Sequence, residues 1–383
     1  MPTETDVSRS GKLDWRVARR LDGEEVAWLN IADREMRIGS ARVRMGGIGG
    51  VWTEPQHRRQ GYMRQVMERA VEFMSERQRL IIPTETAIRA EGALPGRPFE
   101  DGDMPCILRI YNETNATRTG SVVRRPWTWP AEGFPMGTRF FTRVDLFVVE
   151  NERGRIVGYC AVDSAHVDRH SGEVTPIRDE VEVAEVGATD ARAWDSILAE
   201  LGRRATRWEV DEIRCCVPAD HEFALHCRSY GARTHISTEA DGGPMMRIIN
   251  QDELMGKLEG ELSRRVAGRG LSGSMLVETD LGRFGIVVSN RSARVCAELS
   301  ESDHAIEGRP HSGLKHSGLK QWKLLQLIVG YRTLDDVLSD PRDVAFAPDR
   351  TPPWRSGTSV ELRELADALF PPQFAYCWHP DWL

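Results

Sequence analysis

The chain has 383 residues, 40% of them hydrophobic, with 51 basic against 58 acidic residues and a formal net charge of −7. That length allows two or three packed domains, and the acidic balance argues against nucleic-acid binding. No apolar run approaches the ~20 residues needed to cross a bilayer, so no membrane-embedded part is expected.

The start, Met1-Pro-Thr-Glu-Thr-Asp, lacks the basic and apolar regions of a signal peptide. Seven cysteines, an odd number without a Cys-x-x-Cys pair, point to reduced thiols and a cytoplasmic setting. The vicinal Cys215-Cys216 sits in a strand-like run and reads as buried filler. The ten histidines show no metal-ligand spacing, so no metal is expected.

Residues 13–53 read as three strands, Trp15–Arg19, Val26–Arg37 and Arg42–Thr53, with turn signals at Asp22-Gly23 and Gly39. The next stretch, Val-Trp-Thr-Glu-Pro-Gln-His-Arg-Arg-Gln-Gly-Tyr-Met-Arg (51–64), reads as a strand end, a basic loop and a first helical turn. Met63, Val66, Met67, Ala70, Val71 and Met74 then recur at helical spacing, which predicts a helix to about Arg77. A helix start of this kind offers unpaired N–H groups, a positive dipole end and two guanidinium groups to one anion. Gly61 allows close approach of that anion to the backbone. The expected guest is a pyrophosphate.

This stretch resembles the acetyl-CoA loop of the GNAT superfamily of acyltransferases, Gln/Arg-x-x-Gly-x-Gly/Ala. Arg58 and Gly61 take the first two positions, and Met63 stands where a small residue is usual. Pro55, His57, Arg58, Arg59 and Gly61 match the Eis-like branch. The resemblance implies acetyl-CoA as co-substrate. Val51, Trp52 and Thr53 would pair with the pantetheine arm, and Arg58, Arg59, Gln60, Gly61, Tyr62, Met63 and Arg64 would wrap the pyrophosphate.

Residues 78–98, rich in Pro, Gly and charge, read as a linker. Beyond them a helix is expected at Asp103–Asn115, strands at Thr138–Val149, Arg155–Ser164 and Val181–Ala188, and a helix at Ala191–Arg204. A strand at Glu212–Pro218 and a helix at Phe223–Tyr230, closed by Gly231, complete this unit. The order again resembles GNAT, but Gly187–Arg192 carries no basic pair, so this second unit is degenerate.

From Leu254 the pattern gives a helix at Met255–Arg265, strands at Ser274–Glu278, Arg283–Ser289 and Ala293–Leu299, and helices at Leu319–Val329, Thr333–Leu338 and Val360–Phe370. This region resembles the sterol-carrier-like domain of Eis-like chains. The duplicated His-Ser-Gly-Leu-Lys at His311 and His316 reads as a loop. The expected fold class is therefore α+β (mixed α/β), with two GNAT-like mixed-sheet units, the second degenerate, and a sterol-carrier-like domain. The boundaries are 1–98, 99–253 and 254–383.

The tail, Phe370 to Leu383, is unusually aromatic. Burial of Phe374, Tyr376, Trp378 and Trp382 would stabilise by roughly 1.5–3 kcal/mol each, enough to dock it. By the resemblance, the terminal carboxylate of Leu383 enters the first unit's active site as general base. The alternative is a tail that plugs a groove in its own domain.

The family's usual tyrosine acid is missing, since none lies between Tyr62 and Tyr111, and Tyr111 reads as packing. The first unit also lacks chain before Trp15 for the usual first strand, and the strand and helix expected after Arg77. Two functions follow. One is an N-acetyltransferase acting on an amine of a small molecule (aminoglycoside- or polyamine-like) or on lysine, in a homo-oligomer. The other is a degenerate relative that only binds acyl-CoA or lipid.

Overall fold

The computed structural model describes residues 3–9, 14–60, 77–92, 94–126, 142–168, 171–237, 246–289, 291–298, 314–338, 360–378 and 381. Three sheets with flanking helices make an α+β molecule. Sheet one has the order β1-β2-β3-β4, from β1 (Thr3–Arg9), β2 (Asp14–Leu21), β3 (Glu24–Ile38) and β4 (Ala41–Thr53), all antiparallel. The last three match the expected strands. β1 corrects the expectation that the chain before Trp15 is too short for a first strand, because it pairs with β2 over its full length. Alternation buries Val17, Ala27 and Leu29 on one face, with Ile31 and Ile48 packed beside them.

Sheet two corrects the linker. Residues 78–98 hold β5 (Arg77–Pro83), the helical turn α1 (Thr84–Ala87) and β6 (Gly96–Pro98). The strand and helical turn thought missing after Arg77 are therefore present, but they belong to the second sheet. Leu80 and Ile82 alternate into that sheet's core, where apolar burial favours a strand over a solvated connection. The remaining elements are α2 (Met104–Thr114), β7 (Thr142–Glu150), β8 (Ile156–Val167), β9 (Val174–Pro176), β10 (Val181–Ala188), α3 (Arg192–Arg207), β11 (Glu212–Cys215), α4 (Glu222–Cys227) and β12 (Arg233–Ser237). The order is β12-β5-β11-β10-β8-β7-β6, with β9 added on β8. Every residue of β10 is buried. Near its end Gly187 faces α2, where Ile110 approaches it, and Ala188 faces α3 in the group formed by Gly158, Ala193 and Ile197, while a register shift between Val183 and Glu185 interrupts the alternation before them. β10 and β11 are parallel, with α3 as the crossover.

Sheet three, β15-β14-β13-β16, comprises β13 (Gly273–Thr279), β14 (Gly282–Ser289), β15 (Ser292–Cys296) and β16 (Leu314–Leu319). It packs with α5 (Gln251–Val266), α6 (Gln321–Ile328), α7 (Leu334–Leu338) and α8 (Val360–Leu369). The second His-Ser-Gly-Leu-Lys copy falls largely in β16, parallel to β13, rather than in a loop. Met36, Ile38 and Val43, at the far end of the β3–β4 hairpin, join this third core.

Residues 115–125 tie the sheets together. Gly120 donates to the Arg37 carbonyl at 2.9 Å, Arg37 to that of Ser121 at 2.9 Å, and Val123 to that of Glu35 at 2.6 Å. The segment therefore runs antiparallel along β3, with a bridge between Met36 and Val122.

Candidate acyl-CoA site

Among the described residues β4 is the edge of sheet one, so its outer N–H and C=O groups face no described neighbouring strand within that sheet. Near its end the ladder slips. Trp28 opposes Trp52 and Asn30 opposes Gly49, so one β3 residue faces Gly50 and Val51 together. This β-bulge leaves an extra residue outside the ladder and turns its N–H away from it. Gly50 has a φ of +60°, and a Cβ there would lie 2.6 Å from the Asn30 Nδ2 atom. The Gly49-Gly50 pair is the sequence signal for the bulge, since glycine inside a strand marks such sites.

Val51 in the bulge and Trp52 just beyond it are exposed, and Glu54 closes the strand by donating to the Val26 carbonyl at 2.9 Å. A 3₁₀ turn, Pro55–His57, follows, and Arg59 takes a left-handed φ of +65°. Arg58 folds back. Its Nε donates to the Thr53 carbonyl at 3.2 Å, and its guanidinium lies 5.3 Å from the centre of the Trp52 ring. Trp52 is 6.3 Å from Trp28, over which Arg16 stands at 4.8 Å. A ladder of two cations and two indoles thus crosses the strand ends, which the sequence reading did not anticipate. Gln60 donates to the Gln56 carbonyl at 3.3 Å. The expected contributions of Gly61, Tyr62, Met63 and Arg64 lie outside the described residues, as does the catalytic role expected of Leu383.

The tail docks, but not in its own unit. Tyr376 and Trp378 enter the core of sheet two. Tyr376 N–H donates to the Thr119 carbonyl at 2.8 Å, and its hydroxyl to that of Cys216 at 2.7 Å. The Trp378 indole donates to Asn115 at 2.8 Å. Phe374 remains exposed, contrary to expectation, and Trp382 lies outside the described residues.

Beyond Trp378 the tail meets a buried charge cluster that sequence reasoning missed. Arg124 reaches Asp381 through Nε (2.8 Å) and Nη2 (2.9 Å), and Glu185 through Nη1 (2.8 Å) and Nη2 (2.5 Å). Its guanidinium lies 3.6 Å from the centre of the Tyr111 ring, whose hydroxyl donates to Asp381 at 2.8 Å. Tyr159 donates to Glu185 at 2.6 Å. Burial opposes the Arg124 charge, but Asp381 and Glu185 hold it well above its ordinary value. Burial pushes Glu185 upward against the pull of Arg124, and burial also raises both tyrosines, which stay protonated donors. One acid in an otherwise aromatic tail was the only signal available, and its partners lie far away in sequence.

Among the described residues of sheet two, no basic pair stands at the turn after β10. At the corresponding turn, Arg192 is taken by Asp190 at 2.7 Å and Glu152 at 2.5 Å. Cys215 and Cys216 are buried as expected, and burial pushes the Cys215 thiol up. Among the described residues no cluster fits a metal ion, and no helix is long and apolar enough to cross a membrane.

Residues 6–88 match the family model described as an acetyltransferase (GNAT) domain. A GCN5-related N-acetyltransferase from Anabaena variabilis is structurally similar with a TM-score of 0.61 at 15% identity, covering 96% of this chain and 89% of its own. One from Kribbella flavida gives 0.59 at 16%, covering 96% and 88%. Eis1 from Mycobacterium abscessus gives 0.52 at 14%, covering 94% and 90%. No curated protein matches by sequence. Residues 6–88 thus match a GNAT acetyltransferase domain, and the fold is shared, nearly end to end, with two GCN5-related N-acetyltransferases and with Eis1.

Proposed function

We propose that the chain is an acetyl-CoA-dependent N-acetyltransferase acting on an amine of a small molecule, aminoglycoside- or polyamine-like, or on lysine. The observation that carries this reading is the bulge at Gly50-Val51 on an edge strand, followed at once by the basic turn at Arg58-Arg59. An edge strand can take an extended amide-bearing arm as an added strand, which suits pantetheine against Val51–Thr53. A backbone N–H freed by the bulge can polarise a thioester carbonyl. Arg59, Gln60, Gly61, Tyr62, Met63 and Arg64, with Arg58 swung off Thr53, would hold the pyrophosphate.

Acetyl-CoA supplies the activated acetyl group. The chain must orient the amine, remove its proton and protonate the departing thiolate. The terminal carboxylate of Leu383 is the proposed base. Partial burial would raise its pKa towards the working range. The net charge of −7 attracts cationic amines at long range. The same reading treats residues 1–98, 99–253 and 254–383 as GNAT, degenerate GNAT and sterol-carrier-like domains of a cytoplasmic homo-oligomer, with β5 and β6 of the first span contributed to the second sheet.

Titration with acetyl-CoA and thiol release across aminoglycosides, polyamines and lysine peptides test it together. Binding with amine-dependent thiol release supports the enzyme, and Arg59→Glu should abolish both. Removal of Leu383 should stop turnover and spare binding. Binding without release from any amine would support a second reading, a degenerate acyl-CoA- or lipid-binding relative. One observation favours that reading: Tyr111 is buried and committed to Asp381, so it cannot act as the acid.

A further inference from the structure

Asn30 stands in the middle of β3, where asparagine is a poor strand former. It pairs with Gly49, beside the bulge, and shares a face of sheet one with Trp28. The opposite face carries Ala27 and Leu29, both fully buried in the small apolar core. Asn30 is only partly buried, and its amide makes no hydrogen bond among the described residues.

That amide is aimed at the bulge. A Cβ on Gly50 would lie 2.6 Å from Asn30 Nδ2, so the amide nitrogen takes the space a side chain there would need. Gly49 sets no side chain opposite Asn30 either. The run Met45-Gly-Gly-Ile-Gly-Gly50 bares this part of β4, and glycine inside a strand marks close approach of another group to the backbone. The bulge explains a glycine at position 50, whose φ is +60°. It does not explain a donor without a partner held over that glycine. A backbone N–H turned out of the ladder and a side-chain N–H thus meet at one point of an edge strand.

We infer that the Asn30 amide is a further catalytic group, donating to the carbonyl oxygen of the acyl thioester beside the N–H freed by the bulge. The inference rests on the acetyltransferase reading and adds to it a side chain that touches the reacting atoms. In the transfer the amine nitrogen bonds the carbonyl carbon, and negative charge gathers on the carbonyl oxygen. The C–S bond then breaks and the CoA thiolate leaves. The amine gives up one proton and the thiolate gains one, so the products are the amide and free CoA. Two donors fixed in advance stabilise the oxygen more as its charge grows, so they act on rate more than on binding. Gly50→Ala would disturb the bulge and the amide together and is a poorer test than changing Asn30.

The experiment uses the full chain and three readouts: acetyl-CoA affinity, thiol release with the amine panel, and the infrared carbonyl stretch of bound, isotopically labelled acetyl-CoA. Asn30→Leu keeps the size and removes the donor. It should lower kcat by about 10²- to 10³-fold, the scale of one lost oxyanion donor, with acetyl-CoA affinity little changed. The carbonyl band should move to higher frequency as the oxygen loses a hydrogen bond. Asn30→Asp has the parent's shape and should be at least as slow, because its charge repels the developing oxyanion. An unmoved band in both variants overturns the contact, whatever happens to kcat or affinity, and leaves the acetyltransferase reading standing. A shifted band with normal kcat keeps the contact and overturns its catalytic role. If the parent binds acetyl-CoA but releases thiol with no amine, the band still decides the contact, and the catalytic role falls with the enzyme. A parent that binds no acetyl-CoA removes the acetyltransferase reading and this inference with it.

Discussion

Ser40 and Glu261, 221 positions apart, meet twice: Ser40 N–H donates to Glu261 Oε2 at 3.0 Å and the hydroxyl to the same oxygen at 2.7 Å. This contact seats the tip of the β3–β4 hairpin on α5, beside the packing of Ile38 and Val43 into the third core. Arg264 and Arg265 also reach Glu261. Hairpin tip and helix are thus linked through one buried carboxylate.

Burial works to raise the pKa of Glu261, but the bonds from Arg264, Ser40 and Arg265 outweigh it and hold the group at about 2, below its ordinary 4.5. A depressed acid binds fewer protons folded than unfolded, so its contribution is complete above pH 4.5 and is lost as pH falls from 4.5 towards 2. Glu261→Gln should cost about 1–3 kcal/mol at neutral pH, through weakened bonds to buried donors. It should also flatten the decline of the unfolding midpoint across that window. A variant with the same acid slope as the parent would refute this linkage.

His221 titrates in a different window. Its ring lies edge-on to Trp378 at 5.3 Å and to Trp194 at 5.9 Å, and its Nδ1 accepts from Phe223 N–H at 3.2 Å as the N-cap of α4. Burial, helped by Arg118, pushes its pKa down to about 3 from 6.5. The unfolded chain therefore takes up a proton first, and stability falls as pH drops from 6.5 towards 3. His221→Asn keeps a capping acceptor and removes the titration. It should be less stable at pH 7 through lost aromatic packing, yet lose less on acidification to pH 4. Chemical denaturation at a series of pH values measures both effects, and a parallel fall in variant and parent would count against the assignment.

What was legible in the sequence follows the range over which its physics acts. Hairpins and amphipathic helices are local, so Val26–Arg37, Arg42–Thr53 and Val181–Ala188 were placed within a residue or two of the strands observed. The bulge was half visible in Gly49-Gly50. Residues 78–98 misled because Pro and Gly at their ends hid the short run Leu80-Ile-Ile, whose strand character comes from β11 and β12 on either side. The tail's aromatic character announced docking. Its destination depends on Asn115, Thr119, Arg124 and Glu185, and no periodicity links those residues to positions 376–381.

Gly120 gives the most direct test of that destination. Its φ is +89°, and a Cβ built there would lie 2.9 Å from Tyr376 N and 3.1 Å from the Tyr376 carbonyl carbon and oxygen. Those are backbone atoms already fixed by the bond to Thr119, so they cannot give way as a flexible side chain would. Gly154 has a φ of +67° with nothing within 4 Å, so its substitution carries the conformational cost alone. Gly154→Ala should destabilise by about 1–2 kcal/mol, the usual penalty of a left-handed non-glycine residue. Gly120→Ala should cost clearly more, and the excess should vanish in a chain shortened to end before Tyr376, where no tail remains to displace. Comparing unfolding free energies of the two alanine variants in both chain lengths isolates the docking contact. An equal cost at the two glycines in the full-length chain would mean that the tail does not lie against Gly120.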